Sequence, residues 1–224
     1  MGLISRKCER NETKKRDCCV DMSAEVLTQR WQHYTLTING DQHSLLISSA
    51  VSEMLGAMVD VLYELYLESN DDSHAERVKY LEDDPASRIT ITGATGSFTW
   101  DNEGDTIAWT LTRRLYQKPI MLDVEADYDC GEKVYQYRVP YFDMCYAVAK
   151  AATSVIAQAG IVGYHFMSEI DKINIHHLLY IKHLGIFEET YPFTPACHDP
   201  SDRYSAGDRF SDLSDEIELL RFEL

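Results

Sequence analysis

Apolar and polar residues alternate along the middle of the chain, so that every second side chain falls on the same face of an extended segment. This period of two is typical of β-strands with one buried and one solvated face. Glycine, asparagine, aspartate and proline separate the alternating segments at short intervals, which favours tight turns between antiparallel neighbours. The pattern predicts five consecutive strands, over residues 89–92, 98–101, 107–112, 120–125 and 134–139.

A hairpin and an amphipathic helix are predicted before these strands. Apolar residues and threonines alternate over residues 34–38, and Asn39 and Gly40, which tolerate positive φ, follow directly. This arrangement predicts a turn and a return strand through residues 45–47. Beyond the hairpin, apolar residues recur every three or four positions over residues 51–65, which is the spacing of an amphipathic helix.

Further helical segments are predicted on either side of the strands. Residues 70–87 are polar and predict a charged connection that includes a short helix. Pro140 suits the first turn of a helix, because its missing N–H would be unpaired there, and an alanine-rich apolar stripe follows over residues 142–159. Asn174 can cap a last helix over residues 175–183. The sequence therefore predicts an α+β fold, an antiparallel meander of about five to seven strands with two or three helices packed on one face.

The two ends of the chain differ in composition from the segment between them. Residues 1–21 hold six Lys or Arg and four acids and lack apolar periodicity, which predicts a disordered basic leader; Met22 is an alternative start. Residues 22–187 are expected to form a single α+β domain. Residues 188–224 hold ten acids and three arginines, which predicts an acidic, largely flexible tail with a weak helix over residues 215–222.

Charge limits the classes of partner. The chain has 21 Lys and Arg against 37 Asp and Glu, a formal net charge of −16. This balance argues against nucleic acid and anionic membranes as partners, because both are bound through clustered basic residues. Charges interrupt every apolar stretch and the N-terminus lacks a signal-peptide core, so no transmembrane or secretory segment is predicted. Six cysteines without regular spacing indicate reduced thiols and a cytoplasmic location. No cofactor is implied, and the oligomeric state is left open.

A row of carboxylates runs along one predicted strand, where Asp123, Glu125 and Asp127 alternate with other residues, and Asp101 belongs to a neighbouring strand. Such acids can hold Mg²⁺ or act in acid–base catalysis. A metal-dependent hydrolase or nuclease-like enzyme using Asp101, Asp123 and Glu125 is therefore one alternative function. The spacing fits neither an E-x-K nuclease motif nor a calcium loop, because Val134 stands where the loop needs a bidentate glutamate. Solvated or partner-facing acids are the favoured interpretation, with no metal ligand and no catalytic residue assigned.

Histidine, cysteine and tryptophan give no stronger signal. The three histidines of the last predicted helix lack the spacing of four residues that a zinc-binding helix needs. Cys197 and His198 are adjacent in a proline-rich loop, which favours an exposed thiol over a catalytic pair. The aromatic residues of the strands favour core packing. A small-ligand-binding scaffold is the other alternative, built around Trp100, Trp109, Tyr135 and Tyr137.

Acidic residues concentrate in two segments of the chain. Residues 53–84 hold ten acids and two bases, and residues 123–132 hold five acids and no base. Electric fields of this size steer basic partners toward a surface. The sequence therefore predicts partner contacts at Asp60, Glu64, Glu68, Asp71, Asp72, Asp101, Glu103, Asp123 and Glu125.

Several segments between residues 33 and 185 resemble, taken together, small bacterial α+β proteins encoded beside polymorphic toxins. The segments are Phe98-Thr-Trp-Asp-Asn-Glu-Gly104, Trp109-Thr-Leu-Thr-Arg113, Leu122-Asp-Val-Glu125, Tyr141-Phe-Asp-Met144, Ala147-Val-Ala-Lys-Ala151 and Gly160-Ile-Val-Gly-Tyr164. The resemblance implies an immunity protein, which sequesters a cognate toxin domain in the cytoplasm of the producing cell and has no catalytic residue. The excess of acids suits occlusion of a basic nuclease-type toxin, with carboxylates presented where the toxin expects phosphates.

Overall fold

The computed structural model describes residues 19–27, 31–48, 54–67, 77–80, 88–92, 94–102, 105–114, 119–128, 133–161, 173–188 and 213–221. Within these ranges the chain forms nine β-strands, in two antiparallel sheets, and four α-helices. The predicted α+β class is confirmed. Buried apolar residues from both sheets and from all four helices join in one hydrophobic core.

The small sheet has three strands, in the order β1 (Val20–Val26), β2 (Trp31–Ile38) and β3 (Asp41–Ser48). β2 and β3 form the predicted hairpin, and its turn residues Asn39 and Gly40 adopt φ values of 52° and 93°. β1 was not predicted. Its first two residues fall inside the range predicted as a disordered leader, although Val20 is fully buried and both pair with β2. The predicted leader boundary at residue 21 is thereby corrected, because these residues pair with β2 as a third strand of the same sheet.

The large sheet is a six-stranded meander, in which each strand pairs with the next one along the chain. Its strands are β4 (Arg77–Tyr80), β5 (Arg88–Thr92), β6 (Thr95–Asn102), β7 (Asp105–Arg113), β8 (Met121–Tyr128) and β9 (Lys133–Pro140). The five strands predicted from alternation are confirmed as β5 to β9. β4 lies where the sequence predicts a short helix, because pairing with β5 overrides the local helix signal.

Four helices complete the described fold: α1 (Leu55–Leu67), α2 (Tyr141–Ala159), α3 (Ile175–Phe187) and α4 (Leu213–Arg221). The predicted cap of α3 is confirmed, because the side chain of Asn174 accepts hydrogen bonds from the N–H groups of His176 and His177. Pro140 directly precedes α2 and does not lie in its first turn, and Gly160 ends α2 with a φ of 71°.

The helices are shared between the two sheets. α1 packs on β5 and β6 of the large sheet, α2 packs chiefly on β1 of the small sheet, and α3 contacts both of these helices. The sequence predicts one sheet with two or three helices on one face, and the structure instead divides the strands between two sheets that share the helices. Because the N-terminal hairpin forms a sheet of its own, α2 has a second apolar surface to cover.

A strand residue completes the C-terminal end of α1. Arg113 of β7 donates hydrogen bonds from Nη1 to the carbonyl oxygens of Leu65 and Tyr66, at 3.0 and 2.9 Å. Tyr141 donates a further hydrogen bond to the carbonyl oxygen of Leu62. A helix end leaves its last carbonyls without intrahelical partners, and α1 has no basic residue in its last turn. The cation on β7 supplies that missing charge.

The predicted weak helix near the C-terminus is confirmed as α4, and it is packed rather than isolated. Leu219 is fully buried, and the Nζ of Lys182 on α3 donates a hydrogen bond to the carbonyl oxygen of Leu220 at 3.1 Å. The predicted flexible stretch before α4, residues 189–212, lies outside the described residues.

Candidate functional site

The solvent-facing side of β7, β8 and β9 carries a regular grid of side chains, called here the outer face. Three rows cross the strands, and the residues in each row are register partners. The rows are Thr112–Asp123–Arg138, Thr110–Glu125–Gln136 and Ala108–Asp127–Val134. The residues between them are buried on β7 and β8 and half-buried on β9, as the alternation of a β-strand requires. Strand pairing thus fixes which side chains are neighbours on the outer face, and burial of the alternate residues fixes which side chains face solvent.

Asp123 is the centre of an ion-pair network on this face. Its Oδ1 accepts a hydrogen bond from Nε of Arg138 at 2.7 Å, and its Oδ2 pairs with Nη2 of Arg114. Hydrogen bonding to Arg138 lowers the pKa of the Asp123 carboxyl below its usual value, and Arg114 adds to this effect. The predicted contact Asp123 is therefore a carboxylate that is neutralised by its neighbours.

Glu125, the next acid along β8, accepts a hydrogen bond from an amide instead of forming ion pairs. Oε2 of Glu125 accepts a hydrogen bond from Nε2 of Gln136 at 2.9 Å, and both side chains remain accessible. A groove of about 520 Å³ opens over this region. Its lining combines hydroxyl, carboxylate, guanidinium and amide groups, from Thr110, Thr112, Arg114, Asp123, Glu125, Gln136 and Arg138. The surface offers donors and acceptors of both charges rather than acids alone.

The carboxylates proposed for a metal site are not brought together. Asp101 pairs with Thr106 on β7, whereas Asp123 pairs with Thr112. Six residues of extended strand separate these two positions on β7, about 20 Å at the rise of a β-strand. Among the residues that the structure describes, no three His, Cys, Asp or Glu side chains are grouped closely enough to hold a metal ion.

The two predicted acidic contacts on α1, Asp60 and Glu64, differ in exposure. Asp60 is 4% exposed, and its Oδ1 lies 2.5 Å from Nδ1 of His177 on α3, so its carboxylate links two helices and cannot face a partner. Glu64 is half-buried. His177 also stacks on Tyr63, with ring centroids 3.9 Å apart. Asp60 is thereby corrected from a surface contact to a buried structural pair. The remaining predicted contacts lie outside the described residues or have undescribed side chains, namely Glu68, Asp71, Asp72, Glu103 and Asp101.

The aromatic region suggested as a ligand site is filled by protein. Trp100 and Trp109 are fully buried with ring centroids 4.8 Å apart, and the imidazole of His43 from the small sheet packs edge-on against Trp109 at 5.2 Å. His43 also lies edge-on to Tyr135 at 5.1 Å. His43 is not among the site residues predicted from the sequence. The alternation of β3 indicates its position, because His43 is two residues before the buried Leu45 and therefore on the same face of the strand.

A chain of hydrogen bonds runs through His43. The hydroxyl of Tyr137 donates to Oδ2 of Asp41 at 3.1 Å, and Nε2 of His43 lies 2.8 Å from the same hydroxyl. With the Tyr137 proton directed at Asp41, Nε2–H of His43 is the donor and Nδ1 accepts from the hydroxyl of Tyr128 at 2.6 Å. The chain therefore joins β8 and β9 of the large sheet to β3 of the small sheet.

Burial controls the acidity of this cluster. It lowers the pKa of His43. Two smaller effects act on the same pKa: Asp41 raises it and Lys133 lowers it. Burial also raises the pKa of Tyr128 to about 12 and, together with the hydrogen bond to Asp41, raises that of Tyr137. His43 is thus neutral at neutral pH, with one nitrogen donating and the other accepting.

Comparison of the chain with protein-family models, with curated proteins and with solved structures finds no match. Within the described part of the chain, no helix combines the length and the apolar character needed to cross a membrane.

Proposed function

We propose that this protein is a binding protein of the immunity type, which occludes a cognate toxin domain through the outer face of β7, β8 and β9. The observation that carries the proposal is the ordered, solvent-facing grid of that face. At one end of the grid Asp123 is fixed by Arg114 and Arg138, and at its centre Glu125 accepts a hydrogen bond from Gln136. Side chains that are already held in place lose less conformational entropy when a partner binds, which favours recognition by a rigid surface.

The charges of the outer face differ from the purely acidic contact surface that the sequence predicts. On the outer face, two arginines stand beside two accessible acids, so local attraction depends on matching charges rather than on acidity alone. The net charge of −16 acts at longer range and steers a basic partner during encounter. We therefore expect the association rate to fall with salt, and the dissociation rate to depend on the outer face.

Neither alternative function has comparable support. The proposed metal ligands Asp101 of β6 and Asp123 of β8 pair with opposite ends of β7, and two arginines already engage Asp123. The aromatic residues of the ligand-scaffold alternative are packed around His43. In contrast, the outer face is open to solvent over three strands.

The test is co-expression with the toxin domain that the proposal expects to be encoded beside the gene. Wild-type protein is expected to restore growth and to form a stable complex with the purified toxin domain. The double variant Thr110→Arg/Glu125→Arg places two arginines at register partners in the centre of the outer face. We expect it to weaken binding about 100-fold or more, because bulk and charge of the wrong sign are introduced at the centre of the interface.

A matched control is available on the small sheet. Ser23→Arg/Glu25→Arg makes the same change in charge at two exposed positions of β1 and is expected to bind like the wild type. Thermal unfolding of both variants checks that the fold is retained. Absence of both rescue and binding by the wild type would contradict the immunity function. Equal binding by the two variants would contradict the assignment of the outer face.

A further inference from the structure

The two arginines of the outer face have more hydrogen-bonding capacity than their contact with Asp123 uses. Arg138 engages Asp123 through Nε, and Arg114 engages it through Nη2. A guanidinium carries five N–H donors in a planar fork, so most donors of both side chains remain for another acceptor. The side chains are 58% and 47% exposed, so these donors are accessible from solvent.

Asp123 acts on these arginines as a positioning residue. One carboxylate shared by two guanidiniums holds both forks at the same end of the groove, and it leaves a local charge of +1 among the three groups. Thr112, the register partner of Asp123 on β7, lines the groove beside them. Two cations face one anion at this end, whereas Glu125 in the adjacent row also lines the groove and makes its lining as a whole neutral.

We propose that Arg114 and Arg138 form an oxyanion site at this end of the groove, which takes a carboxylate or a phosphate group. Planar guanidinium forks bind both groups through paired, charge-assisted hydrogen bonds. The free Nη1 and Nη2 edge of Arg138 provides one such pair, and Arg114 contributes the second cation. The net charge of the chain opposes anions at long range, so recognition at this site depends on short-range geometry.

The site can be tested without any protein partner, which separates this proposal from the immunity function. Arginine Nε–H signals of the ¹⁵N-labelled full chain are followed by NMR while inorganic phosphate or propionate is added, with sodium chloride keeping the ionic strength constant. Saturable shifts are expected at Arg114 and Arg138. Saturation by phosphate alone would identify a phosphate site, and saturation by propionate alone would identify a carboxylate site.

Three variants define the role of the fork. Arg138→Gln removes the cation at an exposed position, and we expect about tenfold weaker anion binding. Arg138→Lys keeps the charge but loses the planar fork, so its affinity is expected to lie between those of Arg138→Gln and wild type. Arg221→Gln removes an exposed arginine of α4 and is expected to bind like wild type.

Two results would overturn the proposal. One is a linear response to both phosphate and propionate, equal to the response to chloride. The other is equal affinity of wild type and Arg138→Gln for the saturating anion, since the anion would then be bound elsewhere.

Discussion

At the scale of single residues, the structure gives several polar side chains roles that depend on distant partners. His43 is 1% exposed and still satisfies both ring nitrogens, through hydroxyl groups that come from the other sheet. Asp60 is buried because His177, 117 residues away, supplies a partner. A buried polar group is costly unless it is hydrogen-bonded, so each of these residues is tolerated only in the assembled fold.

The pH dependence of stability should report on His43. Burial lowers its pKa in the folded protein, so below about pH 6.5 the unfolded chain binds more protons than the folded one. The free energy of unfolding should therefore decrease as the pH falls from about 7.5 to about 5. We expect His43→Gln to reduce this decrease, measured by urea denaturation at both pH values.

The matched control for this measurement is His33→Gln on β2. His33 lies outside the hydrogen-bond chain of His43, so its replacement leaves that chain intact and the decrease is expected to persist. The acids and Lys133 near His43 are present in all three proteins, so they do not alter the comparison. A slope in His43→Gln equal to that of wild type would show that another group causes the effect.

At the scale of secondary-structure elements, the helices are positioned by their close packing against α3. α3 is buried around nearly its whole circumference from His177 to Gly185, because α1, α2 and α4 all contact it. Its crossing with α2 is close at Gly185. A Cβ added to Gly185 would lie 2.7 Å from both Cα and N of Tyr146. Backbone atoms of a neighbouring helix cannot move away as a flexible side chain can.

Gly185→Ala is therefore expected to destabilise the protein by about 1–3 kcal/mol, the usual cost of overpacking. The direction of the change in stability is informative, because the same substitution in an unobstructed helix stabilises by about 1 kcal/mol. Chemical denaturation monitored by circular dichroism measures the difference. A gain in stability would contradict the helix crossing at Tyr146.

At the scale of the whole molecule, tertiary contacts attach the two ends of the described chain to the core. β1 pairs with β2, and Asp21 of β1 forms an ion pair with Lys150 of α2 at 2.8 Å. At the other end, Lys182 of α3 is fully buried and donates hydrogen bonds to Thr153 of α2 and to Leu220 of α4, both at 3.1 Å. One ammonium group therefore links three helices.

Burial lowers the pKa of Lys182 from its usual 10.5 to about 8. Between these values the unfolded chain binds more protons than the folded protein, so the free energy of unfolding should rise with pH in this range. We expect Lys182→Met to flatten the rise between pH 8 and about 9.5, measured by urea denaturation. Lys133→Met, at an exposed position, is the control and should keep the rise. A slope in Lys182→Met that matches wild type would contradict the assignment.

The sequence by itself determined the parts of the structure that depend on neighbouring residues. Alternation predicted β5 to β9, the pair Asn39–Gly40 predicted the hairpin turn, and Asn174 predicted the start of α3. These signals are readable because side-chain period, positive φ and helix capping are properties of a few consecutive residues.

Only the tertiary structure decided which of these elements meet. It paired Asp101 and Asp123 with opposite ends of β7, set Arg114 and Arg138 around Asp123, and buried His43 and Asp60. Strand register and helix crossings arise from pairs of residues far apart in the chain, and a local pattern contains no information about the partner. The candidate surface therefore follows from the assembly of the strands, although each strand was predictable alone.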